Sequence, residues 1–254
     1  MLKMKRFLHR KKDDIKSQRN RVKLPMDIIA ADQLQLILEY NNTVLYDSQP
    51  KTLSLIEAGA IKAVRVDNFL PVDERNALFE AVCREQEAFR TLGHSTTMHY
   101  TLNSPQSGND GAGPLRKAHK LFTQRVKEHI PQILEALDLP SFRVRDIPLN
   151  LINGLDGHEG VPHMDSVVDG KCQISILYYF HKLPKVFRGG GLEFYAAHNM
   201  TSQGHFEKPA CSIDIEDNLL VVFPSQTFHG ITKVESSSNN FTDGRFVMVG
   251  FVAG

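Results

Sequence analysis

In the C-terminal half of the chain, short apolar runs alternate with clusters of Gly, Pro, Asn and Asp. Runs at Phe142–Ile152, Cys172–Phe180, Leu192–Ala197, Leu219–Phe223 and Arg245–Val252 are rich in β-branched and aromatic residues, and the punctuation between them predicts short strands. Many short strands at such spacing point to a sandwich or barrel. Ahead of them the period becomes helical. After Asp73, placed to cap, come Leu78, Val82 and Phe89; after Pro114, suited to a first helical position, come Leu115, Ala118, Phe122 and Val126. Pro131 is expected to break or kink this second helix, and beyond it Ile133, Leu134 and Leu137 form a further stripe. Such stripes are read as core packing, not as ligand sites. The fold class expected is mainly β with flanking helices (α+β). One domain spans residues 26–254, with a helical support region over about 26–140 and a strand-rich core over about 141–254.

Composition narrows the function classes. The 254 residues carry a net charge of +1, yet the first 25 hold ten Lys or Arg against Asp13 and Asp14, a local +8 that leaves the remainder at −7. A mildly acidic body offers no broad nucleic-acid surface. The basic arm over residues 1–25 could meet RNA, an anionic membrane or an acidic partner, but a flexible tail is the simpler reading, with Met26 an alternative start. No apolar run reaches the length of a membrane span, and the N-terminus lacks the apolar core of a secretory signal, so a cytoplasmic location is expected. Cys83, Cys172 and Cys211 show no paired spacing, which argues against a disulfide or zinc framework.

Candidate chemistry centres on His163-Met164-Asp165. Residues i and i+2 of an extended chain share a face, so His163 and Asp165 can grip one ion. His229 follows 66 positions later, behind the run Leu219–Phe223 and the turn Pro224-Ser225, and Arg245 another 16 beyond. Two imidazoles and a carboxylate on one face of an octahedron leave three positions open, the arrangement of non-haem Fe(II) oxygenases. A chain with 11 His yields a chance His-x-Asp easily, and it is the ordered set of four that lifts this one above chance. Zinc also takes two His and a carboxylate, commonly from His-Glu-x-x-His, which is absent here, so iron leads. In the last run, alternation puts Arg245 on the face of Val247 and Val249. Pointing inward, it would need an anionic partner; the plainer alternative is an exposed arginine at a strand edge.

The stretch from about Arg143 to Gly254 resembles the catalytic core of the Fe(II)/2-oxoglutarate-dependent dioxygenases, in the prolyl 4-hydroxylase-like branch. Pro162-His163-Met164-Asp165-Ser166 resembles the family's first ligand motif and Ile174–Phe180 its central strand. Gly189-Gly190-Gly191 with Leu192–Tyr195 resembles its glycine turn, and Val222–Ser225 with His229-Gly230 the segment of its distal ligand. Val66–Pro71 resembles the segment before the family's first long helix, so coverage is about residues 64–254. The resemblance implies a double-stranded β-helix (jelly-roll) barrel and the metal ligands His163, Asp165 and His229, with 2-oxoglutarate chelating Fe(II) and its distal carboxylate on Arg245. The implied reaction is oxidative decarboxylation of 2-oxoglutarate with O2, giving succinate and CO2, coupled to hydroxylation of an aliphatic C–H bond. Ascorbate is a further expected stimulant. Asp165 fits hydroxylation, since halogenating relatives carry a small residue there.

Tyr179 and Asn153 are further candidates for holding 2-oxoglutarate. Arg188 could meet substrate but reads better as a solvated turn residue, and His158, His181, His198 and His205 read as surface histidines. The loop Asn103–Gly113 is placed where this family often carries a mobile lid, with a plain linker as the alternative. The interval from His229 to Arg245 is long for the family, and an insertion over Glu235–Gly244 accounts for it at small entropic cost. The expected partner is a small molecule or a protein side chain, with no nucleic acid. A non-catalytic or other-metal cupin-like barrel acting as a binding module is the alternative.

Overall fold

The structure, a computed structural model, describes residues 34–40, 51–91, 97–101, 113–144, 147–165 and 172–253. The basic arm and nearly all of the expected lid loop lie outside these residues. The elements run β1 (Leu34–Tyr40), β2 (Lys51–Ala58), β3 (Ile61–Asp67), α1 (Val72–Arg84), β4 (Arg90–Thr91), β5 (Thr97–Thr101), α2 (Pro114–Ala136), β6 (Leu149–Gly154), β7 (Gly160–His163) and β8 (Cys172–Phe180). They continue with β9 (Arg188–Gly189), β10 (Leu192–Tyr195), β11 (Cys211–Ile213), β12 (Leu219–Pro224), β13 (Phe228–Ile231), β14 (Val234–Glu235) and β15 (Arg245–Ala253).

Sheet order shows a two-sheet jelly-roll. A nine-stranded sheet runs β1-β2-β3-β12-β8-β15-β6-β5-β4, a four-stranded sheet β11-β10-β13-β7, and β14 pairs with β9. All the pairings are antiparallel. Side-chain alternation divides β8 between two cores. Ile174, Ile176, Tyr178 and Phe180 face the helices, while Leu177 and Tyr179 face the second sheet. A strand buried on both faces reads as a continuous apolar run, which is why this one is legible. Against its outer face, α1 and α2 bury Leu78, Val82, Phe122, Val126, Ile130, Ile133 and Leu134. Between the sheets, Leu177, Tyr179, Val221, Phe223 and Val247 meet Leu192, Phe194, Cys211 and Ile213. The site opens in this inner layer.

Several local expectations need correction. The region read as helical support also contains β1, β2 and β3, which extend the large sheet from its edge. Gly59-Ala60 is a two-residue turn between β2 and β3, with Gly59 at φ 62°; alternation on either side of that glycine is a hairpin signal. Pro131 does not end α2, because its missing N–H falls on the solvent face beside exposed Lys127 while Ile130, Ile133 and Leu134 hold the inner face. Asp73 does not cap: Pro71 precedes the first turn, where Asp73 and Glu74 sit near the positive end of the dipole. Phe89 lies beyond the helix and packs on Phe241. The first strand begins only at Leu149, since Pro148 cannot donate to a ladder, and the strand from Leu192 ends at Tyr195. Cys83 and Cys211 are free thiols. Among the described residues no helix is long and apolar enough to cross a membrane.

Asn218 ties the helical layer to the sheets. It sits at φ 60°, a conformation asparagine tolerates, and leads into β12. Its side chain accepts from Leu70 N (2.9 Å) and from the Tyr178 hydroxyl (2.8 Å) and donates to Leu70 O (2.7 Å). The segment before α1 is thereby fixed to the central strand.

Candidate active site

Register brings the two imidazoles together. His163 closes β7 and His229 lies on β13, and the two are paired partners across the ladder. Their ring centroids are 4.4 Å apart. Asp165, two residues past His163, lies 3.7 Å from His163 Nε2 through Oδ1 and 3.7 Å from His229 Nε2 through Oδ2. One candidate ligand atom from each residue lies within 4.8 Å of the others, close enough to hold a single ion.

Hydrogen bonds orient both rings. His163 Nδ1 is 2.9 Å from Val161 O, and His229 Nδ1 is 3.0 Å from Thr227 O. A carbonyl only accepts, so each Nδ1 carries the proton and each Nε2 presents its lone pair to the cluster, the tautomer a metal ligand needs. Burial lowers the His229 pKa below its ordinary value, against the opposing pull of Asp165, which keeps the ring neutral and ligating. Asp165 Oδ2 is buried with no hydrogen-bond partner. A carboxylate with an orphaned oxygen, each of its two oxygens facing one Nε2 lone pair, fits a divalent cation.

Arg245 opens β15 and is 0 % exposed, and among the described residues none of its Nε, Nη1 and Nη2 has a hydrogen-bond partner. It shares the inner face with Val247, opposite the face of Phe246 and Met248. Burial pushes its pKa down, offset in part by Tyr179, whose ring centre is 5.4 Å from the guanidinium carbon. The Tyr179 hydroxyl is buried and also lacks a partner, and burial pushes its pKa well up. A buried cation beside an unpartnered phenol is the donor set that a carboxylate would satisfy. The strand-edge alternative for Arg245 does not hold.

Asn153 does not join this group. On β6 it shares the helix-facing side with Leu151 and pairs in register with Phe246, across the sheet from Arg245 and Tyr179. Its Nδ2 donates to Phe241 O at 2.8 Å, so it secures the insertion after β14. That segment is folded down: Ser236 N donates to Asp156 (2.8 Å), Ser238 Oγ to Asp243 (2.7 Å) and Lys182 Nζ to Asp243 (3.0 Å). Arg188 is exposed on β9, as a solvated turn residue is.

His198 and His205 are exposed, but His158 and His181 are buried, contrary to the surface reading. His181 follows β8, where its N–H donates to Asp217 Oδ1 at 3.0 Å and Arg75 bonds both Asp217 and the His181 carbonyl. His158 packs on Gly154, where a Cβ would lie 2.7 Å from its Nδ1. Segments distant in sequence hold the main chain of both residues, Val234 at His158 and Asp217 with Arg75 at His181, so the loop-like local sequence misleads.

Beside Asp165 a groove of about 950 Å³ is lined by Met164, Ala60, Ile61, Tyr195, Ala197, His198, Gln226 and Phe228 among others. Ala60 and Ile61 come from the β2–β3 hairpin, and nothing in their local sequence marks them as lining residues.

The architecture is a jelly-roll with a His-Asp-His cluster and a buried cation between its sheets. Residues 149–253 match the model of the 2OG-Fe(II) oxygenase superfamily. Its members use Fe(II), 2-oxoglutarate and O2. An uncharacterised PKHD-type hydroxylase of Synechocystis sp. is 26 % identical over 198 residues, covering 74 % of this chain; the chain spans 61 % of that relative's length. A Pseudomonas putida prolyl-4-hydroxylase shares the fold at a TM-score of 0.50 and 18 % identity, over 75 % of this chain and 91 % of the other. An oxidoreductase of the 2OG-Fe(II) oxygenase family from Burkholderia pseudomallei does so at 0.53 and 12 %, over 75 % and 84 %.

Proposed function

We propose that the protein is a 2-oxoglutarate-dependent dioxygenase that hydroxylates an aliphatic C–H bond, with His163, Asp165 and His229 holding Fe(II). The observation that carries this reading is Arg245, a fully buried guanidinium with no partner on the same inner layer as a triad able to bind a metal. Arg245 binds the distal carboxylate of 2-oxoglutarate and the Tyr179 hydroxyl donates a second hydrogen bond to it. When bound, the metal supplies O2 activation coupled to decarboxylation of the keto acid. The chain's part is to orient the ligands, neutralise the carboxylate and keep water from Arg245. A groove of this volume accommodates an amino-acid side chain, free or within a polypeptide, or a small natural product.

Anaerobic titration of the metal-free protein with Fe(II) and then 2-oxoglutarate tests this. The expected result is a visible charge-transfer band, absent in Asp165→Ala and weakened in Arg245→Ala. Iron bound without a band would sink the 2-oxoglutarate assignment and bring forward the other-metal or non-catalytic barrel.

A further inference from the structure

We propose that Gly190 is a positioning residue whose bare main chain, closed over the Arg245 stem, sets how tightly the protein binds a 2-oxo acid through its distal carboxylate. The inference rests on Arg245 being the anchor of that carboxylate. Gly190 lies at φ 68°, and a Cβ there would stand 2.6 Å from Arg245 Cδ, 3.1 Å from its Nε and 3.1 Å from Val234 Cγ2. Real Cβ atoms essentially never come as close as 2.6 Å, so something has to move. The turn cannot easily retreat, because Gly190 N donates to Lys233 O (3.2 Å), Gly191 N to Thr232 Oγ1 (2.8 Å) and Thr232 N to Gly191 O (2.9 Å). A Cβ on Gly189, at φ 65°, would collide with the Lys233 carbonyl. The Gly189–Gly191 turn and the Thr232–Val234 segment are thus laced together beside Arg245.

The displacement therefore falls on Arg245. Its stem is wholly buried and lies against the Gly190 main chain, so a methyl at position 190 would turn the guanidinium away from its present aim beside Tyr179. Charge-assisted hydrogen bonds to a carboxylate are directional, and misaiming the fork costs affinity for the distal carboxylate alone. The metal triad belongs to β7, β13 and the residues after β7, none of which Gly190 touches among its nearest neighbours. The three glycines before Leu192 are legible in the sequence as a turn; their closeness to Arg245 is not.

The test compares binding of 2-oxoglutarate with that of 2-oxopentanoate, which keeps the keto acid end and lacks the distal carboxylate, to the Fe(II)-loaded protein without O2. Wild type should prefer 2-oxoglutarate strongly. In Gly190→Ala that preference should fall by about tenfold or more, with Fe(II) affinity and 2-oxopentanoate binding unchanged. Gly204→Ala is the control for backbone strain, since Gly204 lies at φ 79° with nothing within 4 Å of a Cβ; it should keep the wild-type preference. Thr232→Val removes the acceptor for Gly191 N without adding bulk, should lower the preference several-fold, and serves if Gly190→Ala does not fold. Wild-type preference in Gly190→Ala, or in Thr232→Val should the first variant not fold, overturns the role of Gly190. No preference in wild type removes the Arg245 assignment itself, and this inference with it.

Discussion

Replacing Arg245 by methionine should stabilise the ligand-free protein while abolishing its response to 2-oxoglutarate. In the absence of ligand the guanidinium is fully buried and among the described residues none of its nitrogens is hydrogen-bonded, so its desolvation is compensated only in part, by the Tyr179 ring. An effective cost of several kcal/mol for one buried ion is usual, and exchanging buried ionic groups for apolar ones of similar volume often gains about 1–4 kcal/mol. Methionine keeps the unbranched stem that lies under Gly190 and deletes the charge. The expected gain is about 1–3 kcal/mol, seen as a higher urea midpoint at unchanged m. At roughly 2–4 °C per kcal/mol for a domain of this size, Tm should rise by about 2–12 °C. With Fe(II) and 2-oxoglutarate at a hundred times its Kd, wild type should gain about 2.7 kcal/mol over its iron-only form. Arg245→Met should gain nothing, and the stability difference between the two proteins should close or reverse. A methionine variant less stable than wild type without ligand, or one stabilised by 2-oxoglutarate to the same extent, would refute the reasoning.

Asn218→Ala should cost about 3–5 kcal/mol in urea denaturation, because Leu70 N, Leu70 O and the Tyr178 hydroxyl lose a buried partner together; a loss below about 1 kcal/mol would remove Asn218 as the lock between layers. The pH response comes from three histidines, His129, His181 and His229, that burial holds below their ordinary value of 6.5. The unfolded chain then binds more protons than the folded one between the folded values and 6.5, so stability of the metal-free protein rises with pH through that window and is lost as pH falls through it. Urea midpoints measured between about pH 8 and pH 5 should fall toward acid, and a rise would contradict the burial argument.

How much is legible in the chain depends on how local each signal is. Cys172–Phe180 reads as a strand and is one from end to end, because a strand buried on both faces announces itself in composition. His163 with Asp165, then His229 and Arg245, can be named in order, since ligand chemistry restricts the residue types and the ladder restricts their faces. Asn153 misleads for the same reason in reverse. A polar residue near the end of a strand looks the same whichever face it takes, and only its register opposite Phe246 shows that it serves the insertion. Which of Tyr178 and Tyr179 faces Arg245 is likewise open until both sheets are present to define an inside.

By itself the sequence determined the period of strands such as Cys172–Phe180 and the order of its candidate site residues, because residue type and period are written in the chain itself. Only the tertiary structure decided that the turn before β3 reaches the groove, that His158 and His181 are buried, and that Gly190 closes over Arg245. Burial, face and close approach are set by contacts between segments tens of residues apart, and no local pattern of polar and apolar positions encodes them.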